Sequence, residues 1–298
     1  MSKTPTLREI VQSVENLRLA KRRKAPQGRK LLYSDSYIIA LAVYQKLAGF
    51  KYSQKMLDVL ASLDQAVPAA STFAERKVGL VLQIILAVKQ LCSGHDATKQ
   101  HLDSKKLETI DFARANRTEL AGNYGYDHIH KRVFYGFRLH ARVDDQGRLC
   151  ALLLRRASEH DVSVAPRLLA TLSYTVITAD KGYISKDLKA VLATSAVDLV
   201  TPRRSNQLPP PKREQNLYKG HRIIETVFSS LDRLGLSDRP YRSNVGFVLH
   251  VFSTLLAYQL KALFLPWLFR IGVSSITSTP PKHPTGGASS SVSRTVWR

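Results

Sequence analysis

Apolar residues in the first third of the chain recur at helical spacing. Leu7 to Leu19 is amphipathic, Ser36 is placed to cap a helix running to Leu47 with Gly49 as its stop, and Ser53 opens a short helix through Leu60. Thr72 and Glu75 have capping-box spacing ahead of a long apolar helix, Val78 to Leu91. Beyond Lys99 the period changes. Tyr135, Phe137, Leu139, Ala141 and Val143 alternate with Gly136, Arg138, His140 and Arg142, which predicts a half-buried strand. Asp144 to Gly147 reads as a turn and Leu149 to Leu154 as a continuously apolar strand, so the two form an antiparallel hairpin. Farther on, the pattern predicts a helix over Asp161–Leu172, a buried strand Thr175–Ala179 that ends at Asp180, and a helix from Ser185 to Leu192. A strand over Val197–Thr201 and two helices, Leu217–Leu234 and Val245–Leu265, close the pattern. Helices first, then a hairpin and strands alternating with helices, give an α/β fold class behind an all-helical N-terminal domain. The expected division is a helical region over 1–98, an α/β domain over 99–272 and a disordered tail over 273–298, rich in Ser, Thr, Pro and Gly.

Charge changes the picture. Among 298 residues, 45 Lys and Arg face 23 Asp and Glu, a net +22. Self-repulsion on that scale calls for a polyanionic partner, nucleic acid first and an acidic membrane surface second. The 44% hydrophobic and 23% charged contents are ordinary, which excludes a wholly disordered, collagenous or coiled-coil chain. Cations cluster at Lys21-Arg22-Arg23-Lys24, at Arg29-Lys30, and in a Pro-rich loop from Pro202 to Arg213. Short N-terminal helices around a Gly-containing turn suit a helix-turn-helix-like DNA reader, and a plain basic bundle fits them as well. Val245 to Phe269 is rich in Val, Leu and Phe and long enough to be taken for a membrane span. It carries His250, Gln259, Lys261 and Pro266, so it reads as a buried helix. Cys92 and Cys150 alone exclude a disulfide framework or zinc ribbon, and the start of the chain reads as no leader, so the expected place is the cytoplasm, beside the nucleoid.

Three acids stand out by position. Asp103 lies in a short segment that can lead into the sheet, Asp180 stands where a buried strand ends, and Glu225 sits on a helix among Ile223, Ile224, Val227 and Phe228. Carboxylates at strand ends and on an apposed helix can converge on one point, and such hard oxygen donors suit Mg²⁺ or Mn²⁺. Each acid alone is as readily a turn residue, a helix cap or half of an ion pair. The histidines make no zinc site: His128 and His130 share a Tyr-rich loop, His140 is alone on its strand, and no Cys accompanies them at ligand spacing. Tyr124 and Tyr126 beside Lys131 and Arg132 mix aromatics with cations, as nucleic-acid surfaces and simple solvated loops both do.

Four segments carry a resemblance. Asp180-Lys181-Gly182-Tyr183, Tyr135-Gly136-Phe137-Arg138-Leu139-His140, Thr201-Pro202-Arg203-Arg204 and Arg222-Ile223-Ile224-Glu225-Thr226-Val227-Phe228 resemble DDE transposases of bacterial insertion sequences. The similarity covers about Gln100 to Leu260. It implies a ribonuclease-H-like mixed sheet flanked by helices, in which Asp103, Asp180 and Glu225 hold two divalent metal ions. The short spacing between Asp180 and Glu225 leaves no room for the large insertion domain that some relatives place there. Related sequences commonly have Lys seven residues after the Glu, where this chain has Asp232. Seven positions bring a helical side chain back to within about 20° of its start, so Asp232 should either face the DNA path or be neutralised by a nearby cation such as Arg233 or Arg239.

The function so implied is an insertion-sequence transposase. It binds terminal inverted repeats, cleaves DNA by two-metal-ion hydrolysis and joins the 3′-hydroxyl ends to target DNA. Arg138, His140, Lys181, Arg203, Arg204, Arg222, Lys131 and Arg132 are the expected DNA contacts. Double-stranded DNA is the partner, and a homodimer in a synaptic complex is expected because two ends are handled together. The alternative is a decayed or repurposed DNA-binding relative that no longer cleaves.

Overall fold

The computed structural model of the chain describes residues 4–19, 31–93, 97–128, 130–203, 209–238, 241 and 243–264. The basic cluster at 21–30, Arg204, Arg239 and the C-terminal tail lie outside them.

Five helices come first: α1 (Leu7–Asn16), α2 (Asp35–Leu47), α3 (Ser53–Ser62), α4 (Ala70–Gly79) and α5 (Val81–Cys92). A reciprocal capping box between Thr6 and Glu9 starts α1. The cap of α2 is Ser34, which accepts the N–H of Tyr37, and Ser36 lies inside the first turn. The single helix expected over Val78–Leu91 is two. The chain turns at Leu80 (φ −104°, ψ 10°), which lets Phe73 of α4 and Ile84, Ala87 and Val88 of α5 reach one core. Thr72 and Glu75 therefore sit within α4 and cap nothing.

The sheet is built from β1 (Lys99–Ile110), β2 (Asn123–Asp127), β3 (Arg132–Asp144), β4 (Leu149–Arg156), β5 (Val176–Ala179) and β6 (Asp198–Val200). Its order is β2-β3-β1-β5-β6, with β4 also on β3. β1, β2, β3 and β4 pair antiparallel, whereas β1–β5 and β5–β6 are parallel, so the sheet is mixed. The β3–β4 hairpin forms as the alternation predicts, but β3 is not half-buried: from Leu139 to Asp144 both of its faces are buried, because helices cover both sides of the sheet. β2 falls where a Tyr-rich loop is expected. Asn-Tyr-Gly-Tyr-Asp has no apolar alternation, and it extends because the first half of β3 offers it a free edge that β4 does not use.

Between and after the later strands come α6 (Asp161–Leu169), α7 (Lys186–Ala193), α8 (Lys212–Lys219), α9 (Arg222–Arg233) and α10 (Asn244–Phe264). The helix expected over Leu217–Leu234 is thus also two. It breaks where His221 turns inward, with Nδ1 3.2 Å from the Thr178 hydroxyl on β5.

Helices cover both faces of the sheet. On one, α6 and α7 pack Val164, Leu168, Leu188 and Leu192 on Leu102 and Ile177. On the other, α9 and α10 meet Leu107, Leu139, Ala141 and Val143, and the same apolar cluster runs through α1 to α5. The N-terminal helices thus share the core of the α/β half. α10 is long and apolar enough to cross a membrane, but 67% of its most apolar window is buried inside the protein, against α2, α5 and α9.

Gly136 carries the irregularity that lets β3 serve β1, β2 and β4. At φ +156° it lies opposite the bulge between Glu108 and Ile110, and a Cβ there would meet the Leu107 carbonyl oxygen at 2.1 Å. Gly136→Ala should cost about 3 kcal/mol, seen as a lower denaturation midpoint at unchanged slope. A shift of less than about 0.5 kcal/mol would mean that the strand relaxes freely there.

Candidate active site

Backbone register places the first two acids side by side. β1 and β5 run parallel with Leu102 opposite Ala179, so Asp103 within β1 lies level with Asp180, the first residue past the end of β5. Ligand groups gather there in sheets with parallel strands, because chain direction and helix packing open a crevice beyond the strand ends. Asp103 pairs across with Ala141, which puts its side chain on the sheet face that α9 covers. On α9, Ile224, Val227, Phe228 and Leu231 are buried at spacings of three and four. Glu225 is exposed at the edge of that stripe, and Phe228 with Asp103 and Asp180 lines a cleft of about 1390 Å³.

Electrostatics ties the acids together. Burial pushes the Asp103 carboxyl up to about 7. The Ser104 N–H, 2.7 Å away, works against that shift, while the charges of Asp180, Asp161 and Glu225 add to it. Tyr218 of α8 is pushed to about 12, by burial and then by Asp180, Asp103 and Glu225 in that order. Among the described residues none of Asp103, Asp180 and Glu225 is in an ion pair, so their oxygens are not engaged by protein cations. An all-oxygen donor set in this state fits Mg²⁺ or Mn²⁺ chemically. Among the described residues no three such side chains stand close enough to hold one ion as they are. The carboxylates thus share a field but would have to draw together around a metal.

The expected DNA contacts divide by environment. Lys181 is exposed and lines the cleft beside Asp180, Lys131 is exposed near it, and Arg222 is exposed at the start of α9. Arg138 also lines the cleft, its guanidinium donating to the Tyr126 carbonyl at 3.0 Å. Arg132 is committed to Glu108, and Arg203 is 3.4 Å from Glu214. Arg204 lies outside the described residues. The expectation for His140 is corrected by its surroundings. The residue is fully buried, its Nδ1 is 3.4 Å from the Tyr183 hydroxyl and 3.6 Å from Asp161, and burial holds it down to about 4. An uncharged ring with no solvent access makes no phosphate contact. Asp232, the departure from the related sequences, is neutralised from an unexpected side: Lys105 Nζ of β1 is 2.7 Å from its Oδ2.

Sequence reasoning missed Asp161. It reads as the start of a helix, and it is, but its charge also acts on Asp103 and on Tyr183. A Cβ on Gly182 would come within 2.8 Å of its Oδ2. The Asp180-Lys181-Gly182-Tyr183 turn is therefore seated between Asp161 and His140, with Tyr183 fully buried. The His-Asp pair at 160–161, at the mouth of a helix facing the acids, is the signal that could have found it.

No curated protein matches the chain. Among solved structures, the piggyBac transposase synaptic complex with hairpin DNA is 13% identical over 95% of this chain and 84% of its own, with a TM-score of 0.49. The Mos1 transposase paired-end complex with its left transposon end is 13% identical over 88% of each chain, with a TM-score of 0.23. Both scores fall below 0.5, so the assignment rests on the family model of the transposase DDE domain, which matches residues 93–239. That span runs from the end of α5 past Asp103 and Asp180 to beyond Glu225, and over it the chain is similar to the DDE domain of transposases.

Proposed function

We propose that this protein is a DDE transposase of a bacterial insertion sequence: it binds the terminal inverted repeats, cleaves DNA by two-metal-ion hydrolysis and joins the freed 3′-hydroxyl to target DNA. One observation carries the reading. Asp103, Asp180 and Glu225, from a central strand, the end of its parallel neighbour and a covering helix, lie in one electrostatic field, and among the described residues none of them is in an ion pair. The sheet order, with antiparallel strands on one side of β1 and parallel ones on the other, supports a ribonuclease-H-like catalytic domain.

In this reading Asp103, Asp180 and Glu225 would together hold the two ions. Bound Mg²⁺ or Mn²⁺ supplies activation of water or a 3′-hydroxyl and stabilisation of the leaving oxygen. The protein's own part is placement. Lys181 and Arg138 line the cleft and can hold phosphates of the scissile strand, the exposed Lys131 and Arg222 can extend that contact, and Phe228 keeps one wall apolar. Two ends must be brought together, so a homodimer in a synaptic complex is the working form, acting in the cytoplasm at the nucleoid.

The test is incubation of the full chain with duplex DNA carrying the element's end, with and without magnesium. A specific nick that needs the metal is expected. Tight DNA binding with no nick under any divalent metal would favour the decayed, DNA-binding reading instead.

A further inference from the structure

A second cavity, of about 650 Å³, lies between α2, α4 and the α9–α10 junction, away from the carboxylate cleft. Two lysines line it from different helices, Lys46 of α2 and Lys77 of α4. Lys46 is held in place. His250 Nε2 lies 2.7 Å from the Gly235 carbonyl, to which it donates, so Nδ1 is left as an acceptor for Lys46 Nζ at 3.0 Å. Burial and the Lys46 charge hold His250 down to about 4, so the ring stays neutral and adds no charge of its own. Lys77 stands over the Phe73 ring, its Nζ 4.7 Å from the centroid. Among the described residues neither ammonium is in an ion pair, and Asp238 acts on Lys46 only through its field.

Asp232 and Asp238 both line the cavity, and among the described residues neither is in an ion pair with the two lysines. Asp232 accepts from Lys105 at 2.7 Å and from the Ser237 hydroxyl at 2.6 Å. Both lysines are pushed down by desolvation to about 8, Lys46 also by the Lys77 charge. Two largely desolvated cations with no carboxylate in contact weaken a fold, and an anion seated between them would offset that cost. Arg233 and Lys51 stand on the same rim and leave the cavity cationic.

We propose that this cavity is a second phosphate-binding site, which takes a phosphodiester of the DNA backbone as the strand leaves the carboxylate cleft along α9. The inference rests on the transposase reading above. Arg233 follows Glu225 by about eight positions on α9, a rise of about 12 Å. One strand of duplex DNA rises about 3.4 Å per phosphate, so about four phosphates span that distance. The two sites then fix the direction of the strand as well as its position.

The test uses the full chain carrying Lys46→Gln, which keeps a donor for His250, and Lys77→Met, which keeps volume and an aromatic contact over Phe73. Binding to a duplex is followed over a salt series, with metal-dependent nicking and thermal melting measured beside it. Two lost phosphate contacts should flatten the log–log salt slope by about 1.8 and weaken binding at about 0.1 M salt by at least about tenfold. The melting temperature should stay level or rise, because two uncompensated buried charges are gone. A double variant with the wild-type slope, while wild type binds and nicks, would overturn this inference and leave the transposase reading standing. A wild-type slope near zero would sink that reading and this one together. Millimolar inorganic phosphate that raises the melting temperature of wild type and not of the variant, with the DNA slope unmoved, would assign the cavity to free phosphate and overturn the backbone assignment. A lowered melting temperature with an unmoved slope would mark the lysines as packing groups and overturn it equally.

Discussion

Asp103→Asn should lower magnesium-dependent nicking by about a thousandfold or more and at the same time make the metal-free protein more stable. The two effects have one origin. Asp103 sits half-buried beside Asp161, Asp180 and Glu225, with a single N–H from Ser104 as its hydrogen-bond partner. An unfolded Asp ionises near 4 and this one near 7, so above pH 7 the folded protein carries a charge it resists. Discounted for partial exposure, the amide should recover about 1–2 kcal/mol, a few degrees in melting temperature. In the proposed reading the amide also removes a metal-ligand charge, and ion-stabilised displacement would depend on it for several kcal/mol, with each 1.36 kcal/mol worth about tenfold in rate. Magnesium should raise the melting temperature of wild type and leave that of the variant nearly unchanged, since only a bound ligand shifts the folding equilibrium. Asp180→Asn and Glu225→Gln should lose activity alike but gain less stability, because both positions are exposed. A variant that nicks near the wild-type rate would remove its residue from the site.

The second large effect is acid sensitivity. Burial holds His140, His221 and His250 each down to about 4, whereas an unfolded His titrates near 6.5. Between those values the unfolded chain binds more protons than the folded one, so stability rises with pH and is lost as pH falls. Asp103 works the other way in the same window, since the folded protein protonates it first. Three protons against one leave about two, a slope of about 3 kcal/mol per pH unit as an upper limit. The low carboxyls of Asp145 and Glu159 add their own loss only near and below about pH 4. Denaturant melts at pH 7 and pH 5 check this directly. Equal midpoints would mean that the native histidines are already protonated.

Local pattern reached a long way into this protein. Alternation along Tyr135–Val143 defines β3, and the apolar run after the Asp-Gly turn gives its hairpin partner. Helical spacing around Glu225 places that acid at the edge of a packed stripe, and the polar interruptions of α10 mark it as a core helix. In each case a face is buried along one continuous element, and periodicity reports that burial.

Tertiary structure decided the remainder, because its causes lie far off in the chain. α4 parts from α5, and α8 from α9, where an inward residue serves a neighbouring element, and each half keeps the helical period. β2 is a strand only because β3 leaves half an edge open. Asp161 meets the acids, and Lys105 reaches across to Asp232, through pairings with no sequence period. The N-terminal helices look independent in sequence, yet they finish the core that α9 and α10 begin. The amino-acid pattern by itself determined which residues turn inward on each element. The long-range fold determined which of those elements meet, and so which charges share a cleft.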